Sequence, residues 1–241
     1  MKSITIRQNK EGYYTKEAFK RLHTNIEFCG DDVKVVAVTS CTPNEGKSKC
    51  SFNLARSLSE SGHKVLLLDA DIRKSMMARR FETDEQIKGL THFLAGMEPL
   101  QEVLYKTDEK NFYVVFSGPS VPNPVDLLSS DKFEKLLSSC RALFDYIIID
   151  CPPLASVIDA AIISKNCDGS LMVISQGSIN YRIAQSVKDQ LEKTGCKILG
   201  VVMNNVDIHS GGYYGGYYKK YYGNGYYEHT DDDASENETD E

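Results

Sequence analysis

Val33-Lys34-Val35-Val36-Ala37-Val38-Thr39 runs directly into Ser40-Cys41-Thr42-Pro43-Asn44-Glu45-Gly46-Lys47-Ser48. The first seven residues have the apolar, β-branched character and the length of a buried parallel strand, and Lys47–Ser61 beyond the loop reads as a helix. A strand, a glycine-bearing loop and a helix in that order build an anion site. Backbone N–H groups and the helix N-terminus converge there, Lys47 adds a positive charge, and Ser48 offers a hydroxyl to Mg²⁺. The spacing predicts that Cys41, Pro43, Asn44, Glu45, Gly46, Lys47, Ser48 and Lys49 line the phosphates of a nucleotide. Cys41 stands where the regular pattern has glycine.

Working outward, five further Val/Ile-rich runs have strand length: Lys64–Asp69, Phe112–Ser117, Tyr146–Asp150, Ser170–Ser175 and Ile198–Met203. Helical stretches separate them at Ser130–Leu143, Ile158–Asn166 and Tyr181–Thr194, with Gly62 and Gly195 placed as C-caps. This alternation predicts an α/β fold, a P-loop NTPase with a mostly parallel, doubly wound sheet whose ligands sit beyond the carboxyl ends of the strands. Two apolar runs end there on carboxylates, Leu68-Asp69-Ala70-Asp71 and Ile149-Asp150. Read singly, each aspartate is equally a helix cap or a turn former. Three on the same edge as a phosphate loop favour a divalent metal site, because Mg²⁺ takes one or two carboxylates together with phosphate oxygens and water.

The two ends of the chain differ from this middle. Lys16–Phe28 reads as an amphipathic helix with Phe19, Leu22 and Ile26 on one side, placed to cover the sheet or to meet a neighbour. Ser210–Tyr227 is a run of Gly and Tyr that supplies no alternating apolar face, so 209–241 is expected to be a disordered tail. The division expected is 1–30, 31–208 and 209–241. The net charge of -6 resides in the tail: eight acidic residues lie in 228–241, and the rest, apart from Lys219 and Lys220, is neutral. Such a body offers no basic footprint for nucleic acid. Seven scattered cysteines without C-x-x-C spacing suit reduced thiols, and neither a secretory leader nor an apolar run of about 20 residues is present, so a cytoplasmic location is expected.

The sequence resembles the bacterial tyrosine kinases of capsular and exopolysaccharide synthesis, in the form whose kinase is separate from its membrane activator. The matching motifs are the phosphate loop, Leu68-Asp69-Ala70-Asp71-Ile72-Arg73, Gly118-Pro119 with Pro122-Asn123-Pro124 and Leu127-Leu128, Phe144-Asp145 with Asp150-Cys151-Pro152-Pro153, Leu199-Gly200-Val201-Val202-Met203-Asn204, and the terminal tyrosine cluster. The resemblance implies ATP and Mg²⁺ as cofactors, with Lys47 on phosphate and Ser48, Asp71 and Asp150 supporting the metal. It implies that Asp69 accepts the tyrosine proton, with Lys47 and Asp71 also catalytic, and that Asn204 contacts the adenine base; an asparagine capping a strand end is the plainer alternative. Arg73 is a weaker site candidate that equally pairs with a carboxylate.

The acceptors implied are Tyr213, Tyr214, Tyr217, Tyr218, Tyr221, Tyr222, Tyr226 and Tyr227, phosphorylated in trans. Implied partners are a membrane-anchored polysaccharide co-polymerase that activates the kinase at the inner face of the membrane, a cognate tyrosine phosphatase, and further copies of the chain. The family departs from this chain at Asn44, usually glycine, at Lys49 and Cys151, usually threonine, and in its N-terminal Glu-x-x-Arg-x-x-Arg assembly motif, which here reads Glu17, Lys20 and His23.

Two rival functions share the fold. Partitioning and positioning ATPases carry a second lysine early in the loop, and 40–45 contain none. A degenerate scaffold that binds nucleotide without transfer is the other, kept open by Asn44, Lys49 and Cys151.

Overall fold

The computed structural model describes residues 2–7, 12–82 and 86–206. Met1–Asn204 forms one compact unit and Asn205–Glu241 a second, of which only Asn205 and Val206 are described. The eight tail tyrosines and the expected disorder of 209–241 therefore lie outside the described residues.

The first unit opens with β1 (Lys2–Ile6), α1 (Tyr13–Glu27), β2 (Val35–Ser40), α2 (Lys47–Glu60), β3 (Val65–Asp69), a 3-10 turn (Met77–Arg80) and β4 (Phe81–Glu82). It continues through α3 (Leu90–Leu94), α4 (Leu100–Val103), β5 (Leu104–Thr107), β6 (Phe112–Val115), α5 (Pro124–Leu128) and α6 (Asp131–Arg141). It closes with β7 (Tyr146–Asp150), α7 (Asp159–Ser164), β8 (Gly169–Ser175), α8 (Tyr181–Glu192) and β9 (Lys197–Asn204). The sheet order is β4-β1-β5-β6-β3-β7-β2-β8-β9. The six strands expected from sequence are the parallel block from β6 to β9, each within two residues of its expected bounds.

Parallel strands covered on both faces need apolar side chains on both faces, and the central strands supply them. Val35 and Ala37 of β2 join Leu66, Leu68, Ile147 and Ile149 in the core beneath α5 to α8, whereas Val36 and Val38 join Leu67 and Ile148 in the core beneath α1 and α2. Truncating one of the fully buried leucines of α2, Leu54 or Leu58, to alanine costs about 2–5 kcal/mol at such sites. Helix α2 stops where expected. Gly62 turns left-handed at φ 106°, and the His63 N–H returns to Leu58 O at 3.3 Å, closing a Schellman cap.

Three strands were not expected, and they correct the picture of the N-terminus. β1 alternates its faces, burying Ile4 and Ile6, and pairs parallel to β5 and antiparallel to β4; β5 in turn runs antiparallel to β6. These are short strands at one margin of the sheet, with β4 outermost, and their signal is weak in isolation because their burial depends on pairing partners far along the chain. Helix α1 begins at Tyr13, three residues earlier than expected, and its Phe19, Leu22 and Ile26 pack into the core shared with α2. Residues 1–30 therefore belong to the sheet-bearing unit, and the boundary drawn at 30/31 is not a break in packing.

Candidate active site

Parallel strands β2, β3 and β7 end side by side, and register pairs Asp69 directly with Asp150. The loop between β2 and α2 bends over this edge through two left-handed residues, Asn44 at φ 67° and Gly46 at φ 89°. The family's glycine at the position of Asn44 thus has a backbone reason, and asparagine is the side chain that best tolerates this conformation. Gly46 is constrained further, since a Cβ there would lie 2.0 Å from Asn204 Nδ2.

The loop is braced from within. The Thr42 N–H donates to Glu45 Oε2 at 2.7 Å, Ser178 Oγ donates to Glu45 Oε1 at 3.1 Å, and Asn204 Nδ2 donates to Glu45 O at 2.9 Å. The Glu45 carboxylate is buried, so these bonds hold the loop's shape rather than decorate its surface. Beyond it, α2 starts at Lys47 with neither a side-chain cap nor an acidic residue in its first turn. An uncapped helix start beside a lysine is chemically suited to an anion.

Lys47 Nζ lies 3.1 Å from Asp71 Oδ2, 3.5 Å from Asp150 Oδ2 and 3.2 Å from Ser48 Oγ. Burial pushes its ammonium pKa down, and the charges of Asp150 and Asp71 overcome this and leave it above the ordinary lysine value. Burial also raises Asp150, against the Lys47 charge and hydrogen bonds from Ser48 and Ser51, the latter at 3.0 Å.

Asp69 faces different company. Its Oδ2 accepts from Ser75 Oγ and, at 3.2 Å, from the Ser117 N–H; its Oδ1 accepts only a 3.3 Å bond from the Asp71 N–H. Complete burial and the adjacent Asp150 charge push its carboxyl up to about 7, against the lowering effects of Ser75, Lys47 and the Ser117 amide. A carboxyl held near neutrality is matched to taking a proton at physiological pH.

The three carboxylates do not converge. Among the described residues, no group of three or more His, Cys, Asp or Glu side chains is arranged to hold a metal alone. Ser48, Asp71 and Asp150 nevertheless gather around Lys47 as hard oxygen donors, which fits a cation completed by phosphate oxygens and water.

Several expected site residues stand elsewhere. The Cys41 thiol lies in the core, 3.9 Å from Met172 Sδ, with burial pushing its pKa up to about 11; only its backbone belongs to the loop. Cys151 is likewise buried, while Pro43, Asn44 and Lys49 are exposed. Asn204 is engaged with the loop backbone. Arg73 forms a two-pronged pair with buried Asp159 at 2.7 and 2.9 Å, the carboxylate-pairing alternative. Glu17 and Lys20 pair with each other at 2.7 Å, and His23 Nδ1 turns inward to Ser57 Oγ, also at 2.7 Å.

Ser75, Ser117, Ser51 and Ser178 were not singled out from sequence. Ser117, a polar residue ending Val114-Val115-Phe116, carried a strand-end signal of the kind that marked Asp69; the others become visible only through contacts across the fold.

A family model described as AAA domain matches residues 33–203. The tyrosine-protein kinase CpsD of Streptococcus pneumoniae is 45% identical over 210 residues, covering 86% of this chain and 92% of the relative. The crystal structure of the chimerical protein CapA2B2 superposes with a TM-score of 0.77 at 30% identity, covering 84% of this chain and 93% of that one. The septum site-determining protein MinD of Pyrococcus horikoshii fits less well, with a TM-score of 0.60 at 25% identity over 71% of this chain and 70% of that one. Fold, phosphate loop and near full-length similarity agree: the chain belongs to the family of bacterial tyrosine-protein kinases built on this P-loop domain.

Proposed function

We propose that this chain is an ATP-dependent protein-tyrosine kinase that phosphorylates the tyrosines of its own C-terminal segment, in trans between copies, and so regulates capsular or exopolysaccharide synthesis. The observation that carries this reading is the division of labour at one sheet edge. Lys47 sits with Asp71 and Asp150, whereas the carboxyl of Asp69, at the end of the strand beside Asp150, is pushed up to about 7 by burial and the Asp150 charge.

In this reading the loop amides and Lys47 bind the β- and γ-phosphates, and Lys47 exchanges its two carboxylates for phosphate oxygens. Ser48, Asp71 and Asp150 are the residues that would hold Mg²⁺. That ion, when bound, neutralises charge developing on the transferred group. The tyrosine Oη attacks the γ-phosphorus, the bond to the β–γ bridging oxygen breaks, ADP leaves, and Asp69 Oδ1 takes the phenol proton. Ser75 and Ser117 hold the other oxygen of Asp69 in place.

The domain use we propose is assembly and docking through 1–30, catalysis through 31–208 and acceptor tyrosines within 209–241. Glu17 and Lys20 remain on the outer side of α1 for contact with a second copy, and His23 supports the helix from within. No described helix is long and apolar enough to cross a membrane. Recruitment from the cytoplasm to the membrane's inner face is assigned to a membrane-anchored activator, and reversal to a cognate tyrosine phosphatase. The absence of a second lysine from 40–45 gives a partitioning ATPase no support.

Mass spectrometry of the purified chain before and after Mg·ATP, with an activator fragment present, tests the reading. Phosphotyrosine appearing in 213–227, and absent from Lys47→Met, is expected. Phosphate released only to solution would sink it.

A further inference from the structure

Every acceptor tyrosine proposed above belongs to a Tyr–Tyr doublet: 213–214, 217–218, 221–222 and 226–227. The chain has fourteen tyrosines and five doublets, and the fifth is Tyr13-Tyr14. Its local sequence repeats that of the tail. Gly12-Tyr13-Tyr14 is the same triplet as Gly212-Tyr213-Tyr214, Gly216-Tyr217-Tyr218 and Gly225-Tyr226-Tyr227. The remaining four tyrosines, at 105, 113, 146 and 181, are single.

The structure separates these tyrosines by access. Tyr105 is 2% exposed, Tyr113 and Tyr146 are half-buried and Tyr181 is 77% exposed, and the doublet Tyr13 and Tyr14 is exposed at 52% and 54%. Their rings meet edge to face with centroids 6.0 Å apart, away from the core residues Phe19, Leu22 and Ile26. They are also the first two residues of α1, preceded by an extended Gly12 that gives no side-chain cap. A kinase site engages a tyrosine on extended chain, and an uncapped first turn is the part of a helix that opens at least cost.

We propose that Tyr13 and Tyr14 are a fifth acceptor doublet for the same phosphoryl transfer, outside the C-terminal cluster; this rests on the kinase reading above. The chemistry balances as it does for the tail. A tyrosine Oη–phosphorus bond forms, the bond from the γ-phosphorus to the bridging oxygen breaks, ADP departs, and the phenol proton passes to Asp69. The consequence differs in place. The new dianion lies at a helix start with no acidic residue in its first turn, where negative charge is favoured, so the modification strengthens α1. That helix rests on the phosphate-loop helix through His23 and Ser57.

The test uses two full chains in separate reactions, the wild type and a variant with all eight tail tyrosines changed to Phe, each incubated with Mg·ATP and the activator fragment and then digested with trypsin. The peptide spanning 11–16 contains Tyr13 and Tyr14 and no other tyrosine. Phosphotyrosine on that peptide from both proteins, lost on adding Tyr13→Phe and Tyr14→Phe, is the expected result. A wild-type tail that labels while peptide 11–16 stays bare overturns the fifth doublet and leaves the kinase reading intact. Equal labelling of single Tyr181, 77% exposed, overturns it too, because exposure and not the doublet then selects the acceptor. A wild-type chain with no phosphotyrosine anywhere removes both claims.

Discussion

The ends of β3 and β7 carry the same residue in register, Asp69 beside Asp150, both buried, and the two carboxylates differ in nearly everything else. Asp150 has the Lys47 ammonium at 3.5 Å and the Ser51 hydroxyl at 3.0 Å. Asp69 has Ser75 and a backbone amide, and its carboxyl rises to about 7. In the proposed mechanism, environment and not residue type divides the metal-supporting carboxylate from the proton-accepting one, the way paired acids take separate roles.

The largest effect expected is from Lys47→Met. It removes the cation between Asp71 and Asp150, so phosphotyrosine formation should fall at least about 10³-fold, and stability should fall by about 3–5 kcal/mol as buried carboxylates lose their partner. Radiolabel transfer and urea unfolding measure the two. A variant that is inactive yet fully stable would mean that the ion pairs are not a structural unit.

Next comes Asp69→Asn, which should lower the transfer rate by about 10²–10⁴-fold while nucleotide affinity stays at the wild-type value. An equal loss of ATP binding, read by fluorescence titration, would erase the contrast with Asp150.

The same variant tests the raised pKa through stability in the nucleotide-free protein. Asp69 titrates near 7 when folded and near 3.8 when unfolded, so between those values the native state keeps a proton that the unfolded chain has released. Stability therefore declines as pH rises from 4 to 7. Asp69→Asn should flatten this decline by up to about 4 kcal/mol, measured by urea unfolding across that range. An unchanged slope would show that Asp69 is ionised throughout.

The smallest effect is from Asn44→Gly. The residue already sits at φ 67°, so glycine relieves a strain of about 1 kcal/mol or less and leaves activity unchanged. A large loss in thermal unfolding or transfer assays would assign the Asn44 side chain a role that its exposed position does not suggest.

How far the site could be read in advance follows from how its parts are made. Lys47, Ser48, Asp69, Asp71 and Asp150 are local signals, since each stands at the carboxyl end of an apolar strand or at a helix start, and strand order in a parallel sheet brings such ends together. Ser75 and Ser178 carry no such mark. Their roles depend on which carboxylate the fold delivers to them, Asp69 in one case and Glu45 in the other, and the latter lies 133 positions away. Asn204 illustrates both levels. Its place at the end of β9 was readable, whereas its bond to Glu45 O requires β9 and the loop to meet.

Residue order alone establishes a parallel α/β core, a phosphate loop, three strand-end carboxylates and a tyrosine-rich terminus, because periodicity, loop spacing and composition are properties of neighbours along the chain. Packing decides the rest. It drew β1 into the sheet and α1 onto α2, turned His23 inward, and placed the Cys41 side chain in the core. It also surrounded one aspartate with charge and its neighbour with neutral donors. Those outcomes depend on contacts between residues tens of positions apart, whose burial and electrostatic fields exist only once the chain has closed on itself.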